Sequence, residues 1–90
     1  IIGGGQLGLL LTQSALQFPV ELYIYDPNKN CPASHFTKHF TQGGFDDYQK
    51  IIEFGQQCDV LIFEIEKTNL EALKELQAQG KTVISKSDDL

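Results

Sequence analysis

Arginine and methionine are missing from this chain, and cysteine and proline are scarce, at 2 and 3 of 90 residues. The missing arginine constrains function most. All 7 cationic side chains are lysines, set against 12 carboxylates for a net charge of −5. Planar, bidentate clamps on phosphate are built from guanidinium groups, so a phosphate recognised here must rely on backbone N–H groups or on lysine. The acidic balance also argues against a nucleic-acid surface, because counterion release needs a basic patch. No apolar run approaches the roughly 20 residues that span a bilayer, and no signal-peptide pattern is present. Without an initiator methionine the chain reads as part of a longer protein. Cys31 and Cys58 lie 27 positions apart with no C-x-x-C spacing, which reads as two free thiols in a reducing cytoplasm. His35 and His39 could share a metal only on a helix. Thr37, Thr41, Phe36 and Phe40 suit an extended segment better, so no metal is expected.

What is present belongs to one soluble globular domain: 41% apolar and 21% charged residues, at a length near the lower limit for a self-sufficient core. The most informative stretch is Gly3-Gly4-Gly5-Gln6-Leu7-Gly8. It fits G-x-G-x-x-G and opens an apolar helical segment, yet only Ile1 and Ile2 precede it where about five strand residues are usual. Leu7, Leu10, Leu11 and Ala15 then fall at helical spacing, predicting a helix from Gln6 to Gln17 that Pro19 ends. Its start has no side-chain cap, and the glycines leave its first N–H groups bare.

Val20 to Tyr25 alternates as a strand and stops at Asp26-Pro27. Residues 28–34 read as loop, residues 38–42 as a short strand ended by Gly43-Gly44. Asp46-Asp47-Tyr48-Gln49 opens a helix carrying Ile51, Ile52 and Gly55 that closes near Gln57. The continuous apolar run after Asp59, through Phe63, predicts a strand buried on both faces. Thr68-Asn69-Leu70-Glu71 reads as a capping box opening a helix that Gly80 stops. Residues 81–85 form a last strand, and Ser87-Asp88-Asp89-Leu90 resembles another helix start. Strands alternating with helices predict a doubly wound, mainly parallel α/β sheet, cut short at both ends.

In such a sheet ligands sit beyond the carboxyl ends of the strands. Three places meet that condition. In the glycine loop, Gly3 permits the turn, Gly5 lets a ligand approach the backbone, and Gly8 lets helix and strand pack closely. The competing reading is that these glycines serve turn and packing alone. Asp26 stands eighteen residues beyond Gly8, close to the distance at which an acidic residue takes the ribose of NAD, although Asp-Pro at a strand end is often simply a turn. Glu64 and Glu66, two apart, share a side in an extended segment and could bind hydroxyls or an amine. Otherwise they line a solvated loop and support the next helix.

Taken together, Gly3-Gly4-Gly5-Gln6-Leu7-Gly8, Tyr25-Asp26-Pro27 leading to Pro32-Ala33, and Asp59-Val60-Leu61-Ile62-Phe63-Glu64-Ile65-Glu66 resemble the amino-terminal domain of the 5-(carboxyamino)imidazole ribonucleotide synthetases. The resemblance covers nearly all ninety residues, including Leu70-Glu71-Ala72-Leu73 and Ser87-Asp88-Asp89-Leu90. It implies a Rossmann-like pre-ATP-grasp domain of a three-domain, homodimeric ligase of purine biosynthesis. That ligase carboxylates 5-aminoimidazole ribonucleotide with bicarbonate through carboxyphosphate, consuming ATP with Mg²⁺. The resemblance places the ATP and Mg²⁺ ligands outside these residues, so the chain alone is expected to be inactive. It further implies that the backbone around Gly5, Gln6 and Leu7 approaches the phosphoribosyl group and that Glu64 takes a ribose hydroxyl or the amine. Asp26 and Glu66 are the secondary candidates. Leu9 departs from the Arg or Lys usual in the family. A sister family, the formate-dependent glycinamide ribonucleotide transformylases, usually carries Glu at the position of Gln6. Two rival readings remain from the fingerprint: an NAD(P)-dependent dehydrogenase domain using Asp26, and a nucleotide-sensing regulatory domain.

Overall fold

The computed structural model describes residues 1–4, 6–15, 17–64 and 68–86, with residues 6, 7, 64 and 86 described through their backbone. In order they form α1 (Gln6–Ala15), β1 (Tyr23–Asp26), a 3-10 helix (Pro32–Phe36), β2 (His39–Gln42), α2 (Tyr48–Gln56), β3 (Val60–Glu64), α3 (Leu70–Ala78) and β4 (Thr82–Lys86). β1 pairs in parallel with β2, and β3 with β4. Ile2 joins the two pairs, bridging Tyr25 on one side and Phe63 on the other, both in parallel sense. The order is thus β2, β1, the opening residues, β3, β4. The chain winds outward one way from its opening residues, then crosses back and winds outward the other way, as a doubly wound sheet requires.

Side chains alternate between two cores. On one face, Ile2, Tyr25, Leu61 and Phe63 meet Ile51, Phe54, Ala72, Leu73 and Leu76 from α2 and α3. On the other, Ile1 and Ile24 pack with Cys31, Ala33 and the half-buried Leu11 and Leu22. Both cysteines are free and buried, and burial is the main reason the Cys58 thiol titrates above its usual range.

Several boundaries differ from the sequence expectation, each for a local reason. β1 starts at Tyr23, where its partner begins at His39; Val20 stays 57% exposed. The segment expected to be loop holds the 3-10 helix, entered through Pro32. Thr37 is extended and His39 lies in β2, so His35 and His39 share no helix. The cap of α2 is Asp47, whose carboxylate accepts from Lys50 N at 3.1 Å. The cap of α3 is Asn69, not Thr68: its Oδ1 accepts from Ala72 N at 3.0 Å, while its own N–H donates to Phe45 O at 2.8 Å. That second bond fixes where the helix begins.

β3 is not buried on both faces. Leu61 is fully buried, but Val60 is 50% exposed. Helices α2 and α3 lie over one face of β3 and β4. The elements on the opposite side, α1 and the 3-10 helix, pack with each other on the β1 half.

Candidate functional site

Gly3 has φ of +114°, a conformation that a side chain at Cβ disfavours. It turns the chain sharply out of the sheet. A Cβ at Gly8 would overlap the Gly3 carbonyl oxygen, so the first turn of α1 rests directly on the loop. The inward line of α1 is consequently Gly8 and Thr12, whose buried Oγ1 donates to Gly8 O at 2.8 Å. Leu10, expected to face inward, is 59% exposed. The missing side chain at Gly8 lets the helix rest against the Gly3 carbonyl, and that sets the rotation of the helix.

The loop is fastened from three directions. Gly3 N–H donates to Tyr25 O at 2.8 Å, and Ala33 N–H donates to Gly4 O at 3.0 Å. Gly4 N–H donates to Asp26 Oδ2 at 2.7 Å, and Asn28 N–H donates to Asp26 Oδ1 at 2.8 Å. Asp26 is 8% exposed, with each carboxylate oxygen holding a backbone amide.

The amides of Gly3 and Gly4 already have partners. The N–H groups of Gln6, Leu7 and Gly8 belong to the first turn of α1, the positive end of the helix dipole, where an anion is favoured. Gly5 lies outside the described residues.

Glu64 closes β3, one residue after Phe63, while Gly3 follows Ile2. Since Ile2 bridges Phe63, the glycine turn and Glu64 leave neighbouring strands at the same carboxyl rim. That rim position is where the winding reverses, the usual ligand crevice of open α/β sheets. Asp26 borders it from the other neighbour, β1. Glu66 lies outside the described residues. Thr68, further along the same connection, is buried, and its Oγ1 has no hydrogen-bond partner. The sequence pattern assigns that hydroxyl to a helix cap, but the neighbouring Asn69 takes the cap instead.

A separate cleft of about 580 Å³ is lined by Ile1, Leu11, Val20, Tyr23, Val60 and Ile62 among others. It lies towards the amino ends of β1 and β3, away from the glycine turn, and its walls are mainly apolar. Its position argues against a ligand site of the usual α/β kind.

Comparison with known proteins agrees with this geometry. The family model described as the ribonucleotide synthetase preATP-grasp domain matches residues 1–90. A chloroplastic phosphoribosylaminoimidazole carboxylase of Vigna aconitifolia is 41% identical over 80 residues, covering 89% of this chain and 14% of that protein. The N5-carboxyaminoimidazole ribonucleotide synthase of Staphylococcus aureus (strain COL) is 38% identical over 74 residues, covering 82% of this chain and 20% of its own length. Among solved structures, the N5-carboxyaminoimidazole ribonucleotide synthetase of Thermotoga maritima superposes with a TM-score of 0.84 at 29% identity, covering 91% of this chain and 23% of that one. The chain thus spans between 14% and 23% of the length of these relatives. None of these relatives lends support to the dehydrogenase reading.

Proposed function

This chain belongs to the ribonucleotide synthetase preATP-grasp domain family, and from that we propose that it is the ribonucleotide-holding domain of an ATP-dependent ligase. The reaction proposed for the enzyme-length polypeptide is carboxylation of 5-aminoimidazole ribonucleotide by bicarbonate, in de novo purine synthesis. The observation that carries this reading is the meeting of the glycine turn and Glu64 on adjacent strands at the point where the winding reverses.

The roles follow from the donors available. First-turn amides of α1, at Gln6 and Leu7 with Gly5 before them, take the phosphate end of the substrate without arginine. Glu64, with Glu66 as a second candidate, accepts from a ribose hydroxyl or the amine. The chain's part is to bind and orient. The residues holding ATP and Mg²⁺, which supply the activated carboxylate, are assigned by the family resemblance to other parts of the enzyme-length polypeptide. By the same resemblance that polypeptide is proposed to act in the cytoplasm as a homodimer on small molecules, without nucleic acid.

The test is Glu64→Ala in the enzyme-length polypeptide. The KM for the ribonucleotide is expected to rise about tenfold, near 1.4 kcal/mol of lost binding, with the KM for ATP within about twofold of wild type. An unchanged ribonucleotide KM removes Glu64 from the site. NADH fluorescence should show no complex at micromolar concentration. A tight NADH complex weakened by Asp26→Asn would restore the dehydrogenase reading.

A further inference from the structure

We propose that Asp26 is a positioning residue: its carboxylate holds the glycine turn in the shape that aims the first amides of α1 at the substrate's phosphate. This rests on the function proposed above. The carboxylate sits between two backbone donors, Gly4 N–H at 2.7 Å and Asn28 N–H at 2.8 Å. It is itself carried by a fixed frame. Asp26 ends β1 in register with Gln42, and its carbonyl accepts from Gly43 N at 3.1 Å. Gly4 stands two residues ahead of α1, so a carboxylate bound to its amide determines where that helix starts.

The geometry also separates this role from contact with a ligand. Both carboxylate oxygens face backbone amides and the residue is 8% exposed, which leaves little room for a ribose hydroxyl. An acidic group placed where a dinucleotide site would want one is here turned back onto the loop. Aspartate is required, not merely a small polar residue. Asparagine offers one acceptor and one NH₂ donor, so one of the two backbone N–H groups would face another donor. Were the charge simply a repulsive neighbour of the phosphate, removing it should tighten substrate binding. A positioning role makes the opposite prediction.

The experiment uses the enzyme-length polypeptide, as wild type and as Asp26→Asn. The variant is expected to raise the ribonucleotide KM at least tenfold while the KM for ATP stays within about twofold. A variant whose ribonucleotide KM is unchanged or lower overturns the positioning role, whatever its melting temperature. A second measurement on wild type covers the case in which the variant does not fold. With ¹⁵N-labelled backbone and ¹³C-labelled aspartate carboxyls, added ribonucleotide should shift the Gln6 and Leu7 amides and leave the Asp26 carboxyl resonance in place. A direct shift of that carboxyl, with loss of the Gly4 amide bond, makes Asp26 a ligand contact and overturns the proposal. If the wild type neither binds nor uses the ribonucleotide, the proposed function falls and takes this role with it. Use by wild type with an indifferent Asp26→Asn sinks the positioning role alone.

Discussion

At the scale of single residues, Tyr25 shows how a buried polar side chain is made tolerable. Its ring is fully buried against Phe54, with centroids 5.4 Å apart, and its hydroxyl donates to Gly44 O at 2.5 Å. Burial pushes the phenol up to about 12, with Asp47 and Asp46 adding repulsion to its ionised form. The unfolded phenol titrates near pH 10. Because the folded value is the higher one, this contribution to stability is complete below pH 10 and is lost as pH rises towards 12. Tyr25→Phe should therefore lower stability by about 1–3 kcal/mol at neutral pH, since a carbonyl loses its donor. The gap between variant and wild type should narrow between pH 10 and 12. Urea midpoints at pH 7 and pH 11 check this, and a constant gap would contradict it. The residue scale was also where the sequence was hardest to read. Asp26 was visible as an acidic residue at a strand end, but its two backbone partners come from separate segments, at Gly4 and Asn28.

At the scale of elements, helix existence was legible because apolar spacing and cap residues are local. The start of α3 was not, since it depends on a bond to a distant loop. Asn69 caps Ala72 N, receives its own fixing from Phe45 O, and reaches Asp46 O through Nδ2 at 3.3 Å. Asn69→Ala should cost about 1–2 kcal/mol, read as a lowered urea midpoint with an unchanged slope. A loss under about 0.3 kcal/mol would mean that Thr68 can take over as cap. The strand limits were similarly out of reach of local pattern. Val20 to Leu22 alternates like a strand, but β1 lasts only as far as β2 runs beside it.

At the scale of the whole molecule, the alternation of strand and helix sufficed to predict a parallel, doubly wound sheet. It did not predict which faces are covered. The apolar run through β3 suggested burial on both sides, but cover depends on how many helices each half of the sheet receives. The contrast is testable at adjacent positions. Leu61→Ala should cost about 2–5 kcal/mol, as a fully buried leucine does. Val60→Thr, at a half-exposed site, should stay within about 0.5 kcal/mol of wild type. Equal losses at the two positions would mean that the open face is covered in solution.

The bridge at Ile2 has one more consequence, for the order in which the molecule is assembled. Each outer strand pair can zip up from nearby sequence, but this one residue must find partners at Tyr25 and, roughly sixty positions on, at Phe63. Until the chain has grown past Phe63, the glycine turn has a neighbour on one flank only. The crevice between the turn and Glu64 is therefore among the last parts to acquire its shape, and any slowing of folding by substitutions at Ile2 would be felt there first.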